Sequence, residues 1–412
     1  MDKRKVCFSK SGTLQKEFRR KGGSFQDTKA NIYMKRIAVI AAKRSPNGKV
    51  PGEMNAVGET DLLAQVFSSV SAGYQNIITE AIAGSAFPIE RDNLCRKATL
   101  MAGLPVSIPA STVSKTCASS DQALLMGCRS VWGGGQGAYL VGGCENIGQN
   151  SYTLHFLKRN IKAAWKGNLP EFDTACDGFQ ENDMSIIAEI LARKHGITRD
   201  EQDSFTLNSW KRAQEACAKG KFHNEILPIK EPYLAIDEWL REERTDTMLG
   251  EAKPMFIRGG TVTQYNAAAM CSCAAAMLIM EEAEASSLQI RPLGYILDGV
   301  STAVPPERTG YAMEDCVGKL LKRNRLKTDD ISLYEINESF AAQALSTIRQ
   351  LGIPKEKVNV NGGNLALGYP IGATGMRMSI TLLYEMRRRE CPYGVSVMCA
   401  GGNMANAFLY QV

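Results

Sequence analysis

The most constraining feature of the chain is a repeat at a fixed offset of 255 positions. The strand-like run NIITEAIAG around Glu80 returns as SLYEINES around Glu335, and AYLVGG at Ala138 returns as YGVSVM at Tyr393. Cys117, at the start of one helical pattern, falls by the same offset on Gly372, inside a glycine-rich turn into another. A chain that repeats strand, strand, helix, strand over so long a period has duplicated a whole packed α/β unit. The sequence therefore predicts two similar halves related by a pseudo-twofold axis.

The segment between them has a different texture. In ITRDEQDSFTLNSWKRAQEACAKGKF, Thr198 is placed to cap a helix, Glu201 completes a capping box three residues later, and the pattern ends near Gly220. The alanine-rich run AAAMCSCAAAMLIM that follows reads as a helix buried on all sides. The chain thus divides into a basic extension (1–33), a first half (34–150 and 251–290), a helical and loop insertion (151–250) and a second half (291–412).

Composition removes several functions. Its longest near-apolar stretch, Ala267 to Met280, is interrupted by Ser272, flanked by Glu281 and Glu282, and too short to cross a bilayer. Net charge is +6, but residues 1–30 hold nine basic and three acidic residues, so the body is neutral and offers no phosphate-tracking surface for nucleic acid. The basic, Ser/Thr-containing start resembles a transit segment and points to a mitochondrial address; Asp2, Glu17 and Asp27 are untypical of one and leave a cytosolic tail as the alternative. The closing LYQV is not a peroxisomal address. Twelve cysteines without a CxxC pair or a His-flanked cluster indicate a reducing compartment and no zinc site.

Four segments can carry chemistry. VSKTCASSDQALLMGCRSV puts Cys117 after the strand-like IPASTV and at a helix start, where unpaired N–H groups favour a thiolate. The alternative is one more small buried residue. In EINESFAAQAL, Asn337 can orient a water or donate to a developing oxyanion, and the Asn337-Glu338 pair can equally cap a helix beginning near Ser339. NVNGGNLALGYPIGATGMR carries five glycines between Asn359 and Arg377 and leads into a helix starting near Pro370. In VSVMCAGGNMANA, Cys399 ends a strand and Gly401 can present its N–H to an oxyanion.

Taken together, TCAS, NESFA, GYPIGATG and CAGG resemble the nucleophile, NExFA, GHPxGxSG and CxGG loops of the thiolase family, in the family's order and spacing. The resemblance runs from about Ile37 to Val412 and includes AKRSP, GGCEN, MSIIAE, TRDEQD and KPMF. It implies an α/β fold of two βαβαβαββ-type halves in α/β/α/β/α layers, with the insertion over the coenzyme A side. It also implies thiolytic cleavage of 3-ketoacyl-CoA, or the reverse Claisen condensation, within lipid metabolism. Coenzyme A would be a co-substrate, with no permanently bound cofactor and no metal. By the same resemblance Cys117 is the acylated nucleophile and Cys399 the acid/base. The N–H groups of Cys117 and Gly401 form an oxyanion hole, and Asn337 holds a water for the enolate oxygen. Ala268 lies in the CoA loop, and Arg244, in DEWLREERTDT, reaches toward the nucleotide end of CoA, the alternative being a solvated surface charge. The family assembles as dimers or tetramers, with edge strands of the first half at the subunit interface.

The departures are as informative. The histidine of GHP is Tyr369 here, and a phenol with a reference pKa of about 10 donates but hardly accepts a proton. Losing a positioned general base costs about 10²–10⁴ in rate. Neither His155, His195 nor His223 lies in a catalytic loop. The GNASG-type loop reads Tyr265-Asn266-Ala267-Ala268-Ala269, the NDGA that follows reads Cys271-Ser272-Cys273-Ala274, and GGGMG reads Gly402-Asn403-Met404-Ala405. Three readings stay open: an active thiolase with impaired or altered activity, an enzyme for a partial reaction such as acyl transfer or thioester hydrolysis, and a non-catalytic acyl-CoA-binding or assembly subunit.

Overall fold

The computed structural model describes residues 35–87, 92–149 and 184–412. The 1–33 extension, His155 and the first part of the insertion lie outside the described residues. In the first half the chain runs β1 (Ile37–Arg44), β2 (Gly48–Lys49), α1 (Glu59–Ser71), β3 (Ile78–Gly84), α2 (Leu94–Met101), β4 (Ala110–Val113), α3 (Ser119–Trp132) and β5 (Ala138–Glu145). The insertion supplies α4 (Met184–Lys194), α5 (Arg199–Ala218) and α6 (Asp246–Glu251), after which β6 (Cys271–Glu281) and α7 (Glu282–Ser287) close the first half. The second half runs β7 (Gly294–Ala303), α8 (Ala312–Asn324), β8 (Leu333–Ile336), α9 (Ala341–Leu351), α10 (Asn364–Leu367), α11 (Thr374–Arg389), β9 (Tyr393–Ala400) and β10 (Met404–Gln411).

The 255-residue repeat is visible in the strand order β4-β3-β5-β6-β1-β7-β10-β9-β8. Read outward from the junction of β1 and β7, each half lays down the same sequence of neighbours, β6, β5, β3 on one side and β10, β9, β8 on the other. The junction is a short antiparallel pairing in which Ile37 faces Ile296 and Val39 faces Gly294.

Three apolar clusters set the layers. One joins α1 and α2 to the first half's sheet through residues such as Leu63, Phe67 and Leu278. Another joins α8 to the second half's sheet through Val317, Leu320 and Val397. Between them, α3 and α11 share a cluster with both halves, including Leu124, Cys128, Met277, Ile380 and Phe408. This gives helix, sheet, paired helices, sheet, helix, the order expected from the resemblance.

Two local expectations need correction. The alanine-rich run is strand β6 and not a helix: ten of its eleven residues are buried, with the strand hydrogen-bonded between β5 and β1 and covered on both faces. Continuous burial looks alike in a buried helix and in a doubly covered central strand, and the length of the run, which favours a helix, misleads here because β6 is an unusually long strand of eleven residues. The second half also lacks a full counterpart of β4, which shrinks to a single bridge between Tyr334 and Val358. There Asn359 takes φ 44° and turns the chain away, while its carboxamide accepts from Ile336 N at 2.8 Å and donates to Ile336 O at 2.9 Å. A side chain thus replaces a strand. The capping box at Thr198 and Glu201 forms as read, and α5 ends at Ala218.

The insertion is tied to β1 through Arg44, a fully buried guanidinium that meets Glu225 at 2.8 Å and Asp237 at 2.7 and 3.0 Å. Removing one partner of such a buried group costs about 3–5 kcal/mol because the remaining charge is stranded.

Asp121, in the first turn of α3, is buried against Gly375 of α11, and its Oδ1 has no hydrogen-bond partner among the described residues. Burial raises its pKa from 3.8 to about 7, with Lys115 pulling the other way. A raised folded-state pKa gives stability that is complete below the unfolded value and is lost as pH rises through the folded one. Thermal unfolding followed from pH 4 to 8 is therefore expected to show the melting temperature falling more steeply for the natural chain than for Asp121→Asn; equal slopes would contradict this.

Candidate active site

Four loops converge where the central helices begin. The first leads into α3: Thr116 sits at φ 47°, a left-handed conformation unusual for a β-branched residue, and Cys117 stands just ahead of the helix. Ser119 braces the turn, accepting from Lys115 N at 2.9 Å and donating to Thr116 O at 2.6 Å. The second loop leads from α10 to α11 and carries Tyr369, whose backbone is clamped to the approach to β6 by bonds from Tyr369 N to Ala269 O (2.8 Å) and from Cys271 N to Tyr369 O (3.2 Å). The third follows β8 and carries Asn337, and the fourth is the end of β9, which carries Cys399, with the turn after it, which carries Gly401.

The sequence-predicted residues come together here, with one exception. Cys117, Tyr369 and Ala268 share an apolar cluster with Ala118, Ile371, Met398 and Ala400. Asn337 Nδ2 donates to Cys399 Sγ at 3.0 Å and to Ser339 Oγ at 2.7 Å, and Gln343 Oε1 lies 3.8 Å from the same sulfur. Ala268 N donates to Ser339 O at 2.9 Å, joining the Ala268 loop to the Asn337 loop. The exception is Arg244. It is not a solvated surface charge: it is buried, its guanidinium lies 5.8 Å from the Trp239 ring centre, and it donates to Leu365 O of α10.

Asn337 and Glu338 do not cap the following helix. That helix, α9, begins at Ala341 after an uncapped Phe340. Glu338 instead accepts from Ser209 Oγ (2.9 Å), Asn359 Nδ2 (2.6 Å) and Leu365 N (3.2 Å), pinning α5, the Asn359 turn and α10 around Asn337. The helix expected near Pro370 starts at Thr374, after one tight turn. His195 lies apart, bonded to Tyr311 and Gln350.

The electrostatics follow from dryness. Burial pushes the Cys117 thiol up to about 12; the nearby Cys399 adds to this, while Tyr369 and the Gly401 N–H pull it back. Cys399 is also raised by burial, opposed first by the hydrogen bond it accepts from Asn337 and then by its contacts with Ser339 and with Gln343, whose Oε1 faces the thiol as an acceptor. The phenol of Tyr369 is pushed well above its usual value by burial and then by the two cysteines, so it is neutral and can only donate. Its hydroxyl, though close to Cys117 and Ser339, closes no well-formed hydrogen bond among the described residues. A buried hydroxyl in that condition costs about 1–3 kcal/mol and favours an incoming acceptor such as a thioester oxygen. The Gly401 N–H, expected to face an oxyanion, donates at 2.9 Å to Thr116 Oγ1.

Sequence reasoning overlooked Thr116, Ser339, Gln343, Asn364 and Arg377. Asn364 had a visible signal, a carboxamide opening the otherwise apolar run NLAL; Gln343 and Ser339 carry none beyond lying near Asn337.

Two thiols packed together beside a neutral phenol, with the Gly401 N–H held on Thr116 Oγ1, make an arrangement suited to acyl transfer through a cysteine thioester. The comparisons give the family. The thiolase N-terminal domain profile matches residues 37–283 and the thiolase C-terminal domain profile residues 290–412. The 3-ketoacyl-CoA thiolase of Bacillus subtilis is 34% identical over 400 residues, 92% of this chain and all of that one. The structure of human mitochondrial 3-ketoacyl-CoA thiolase in complex with CoA superposes with a TM-score of 0.86 at 30% identity, covering 92% of this chain and 98% of that one. Bacillus anthracis acetyl-CoA acetyltransferase gives the same score and identity, covering 92% and 99%. The chain belongs to the thiolase family.

With the Cys117 thiol held near 12, its alkylation by iodoacetamide is expected to rise about tenfold per pH unit between about pH 7 and 9 without a plateau. Peptide mass spectrometry reads this; a plateau below pH 9 would show a thiolate already formed.

Proposed function

We propose that the chain is an acyl-CoA acyltransferase that cleaves 3-ketoacyl-CoA with coenzyme A, or condenses two acyl-CoA thioesters, through an acyl-Cys117 intermediate and with slow proton removal at Cys117. The observation that carries this is the convergence of the Cys117 and Cys399 thiols with the unpartnered Tyr369 hydroxyl.

In the cleavage direction Cys399, as thiolate, takes the Cys117 proton, because the neutral Tyr369 cannot. Cys117 Sγ then bonds to the 3-keto carbon, and the oxyanion meets the N–H groups of Cys117 and Gly401, the latter on exchange for Thr116 Oγ1. Collapse breaks the bond between C2 and C3. C2 leaves as the enolate of acetyl-CoA, whose oxygen a water on Asn337 stabilises, and Cys399 returns the proton to C2. The thiol of a fresh CoA next gives its proton to Cys399, attacks the acyl carbon and releases Cys117 as the leaving thiolate. Tyr369 donates to the thioester oxygen throughout.

Ala268, in the CoA loop, lies beside Tyr369 and Cys117, which supports its contact with the pantetheine. Arg244 acts toward CoA from its anchor on Trp239 and Leu365. We assign lipid metabolism as the setting, and a mitochondrial location on the strength of the basic residues 1–33. Among the described residues no helix is long and apolar enough to cross a membrane. A homodimer, or a tetramer built from it, joined at the first half is supported by β4, the end strand of the sheet, with Leu100, Met101 and Val106 exposed ahead of it.

Intact-protein mass spectrometry after exposure to acetyl-CoA or acetoacetyl-CoA is expected to show an acyl adduct that is absent in Cys117→Ala. No adduct, with CoA binding retained, would favour a binding subunit. Tyr369→His is expected to raise the thiolytic rate by about 10²-fold or more; no gain with the fold intact would show that Tyr369 is not the limiting group.

A further inference from the structure

Behind the two thiols runs a buried line of polar groups, of which the reaction scheme uses only the near end, Asn337 and Cys399. Arg377, fully buried in the first turn of α11, donates from Nη2 to Asn364 Oδ1. Asn364, buried at the start of α10, donates from Nδ2 to Asn337 Oδ1. Asn337, fully buried, donates from Nδ2 to Cys399 Sγ at 3.0 Å. At the far end the Glu335 carboxyl stands 3.9 Å from Arg377 Nη1, too long for a hydrogen bond.

The line has a direction, and Arg377 sets it. A carboxamide can present either end to a neighbour, but a guanidinium has donors only. Asn364 must therefore turn its oxygen to Arg377, which leaves its NH₂ facing Asn337. Asn337 must turn its oxygen to that NH₂, which leaves its own NH₂ facing the sulfur. Two amides that are each free to flip are fixed by one residue that cannot.

We infer that Arg377 and Asn364 are positioning residues that hold the Asn337 carboxamide donor-first against Cys399, so that the sulfur is kept as a hydrogen-bond acceptor, the state a proton-accepting thiolate requires. This rests on the acyltransferase reading for its purpose but not for its geometry. The titratable groups facing Cys399 are Cys117 and Tyr369, from the loops before α3 and α11; Ser339 and Gln343 approach it from the β8–α9 side. The thiolate state is favoured to the extent that donors outnumber negative neighbours, and Asn337 is the nearest donor.

The test substitutes Asn364 in the full-length chain and follows carbamidomethylation of Cys399 by iodoacetamide against pH, resolved by peptide mass spectrometry in a Cys117→Ala background. Asn364→Ala removes the constraint on Asn337 and is expected to slow Cys399 modification at neutral pH about tenfold, with the profile displaced to alkaline pH. Asn364→Asp keeps the shape and still accepts from Arg377 but offers Asn337 an oxygen. It is expected to turn the Asn337 carbonyl toward the sulfur and to slow modification further. The order Asn, then Ala, then Asp supports the inference. A packing role predicts Asp close to Asn and Ala the outlier, and that order, or three coincident profiles, overturns it. Should Asn364→Asp not fold, the Ala variant decides alone: an alkaline displacement with the high-pH rate unchanged upholds the inference, and an unchanged profile, or a rate altered equally at every pH as loosened packing would give, overturns it. No acyl-CoA is used, so failure here is distinct from failure of the Cys117 adduct.

Discussion

The site depends on backbone packed against backbone where α3 and α11 begin. A methyl group at Gly84 would lie 2.1 Å from the Ser119 carbonyl carbon, one at Gly143 2.9 Å from Gly372 O, and one at Gly375 2.2 Å from Asp121 Oδ1. Ser120 Oγ then accepts from Met376 N at 3.1 Å, and Glu145 at the end of β5 accepts from Gly372 N at 2.9 Å and from Ala86 N and Phe87 N. Small residues at these points let the two duplicated halves close to hydrogen-bonding distance. Cys117 and Tyr369 face one pocket because the helices behind them cannot be moved apart without breaking those bonds.

Such closure buries the site, and burial governs the chemistry in both directions. It strengthens each hydrogen bond a developing oxyanion receives. It also disfavours the thiolates from which the reaction starts, since burial is the largest influence on Cys117, Cys399 and Tyr369 alike. With a phenol at position 369, the proposed scheme leaves Cys399 as proton acceptor, its sulfur accepting from Asn337 Nδ2 at 3.0 Å and facing Gln343 Oε1 at 3.8 Å.

Much of this was legible in the sequence, because duplication leaves a period and catalytic loops leave glycines. Ile78 and Leu333, or Ala138 and Tyr393, open matching strands 255 residues apart. The four loops announced the residues that the fold brings together around Cys117 and Cys399. What supports them did not show: Asn364 and Arg377 act through the direction of a hydrogen bond, which depends on neighbours distant in sequence. Strand β6 was misread because apolar composition records burial and not the backbone's shape. Arg244 is not the solvated surface charge held open as the alternative, because the aromatic face of Trp239 and the Leu365 carbonyl hold it buried.

The two ends of the sheet are not equivalent. At β8 the outward backbone groups are already consumed, Tyr334 O by Asn359 N and both polar groups of Ile336 by the Asn359 carboxamide. A sheet closed at one end cannot be extended in both directions. Any association through strand addition must therefore use the β4 end on each partner, which is a self-complementary contact that terminates at two copies. One asparagine in place of a strand thus bars the head-to-tail stacking by which a sheet with two open edges grows into a fibre.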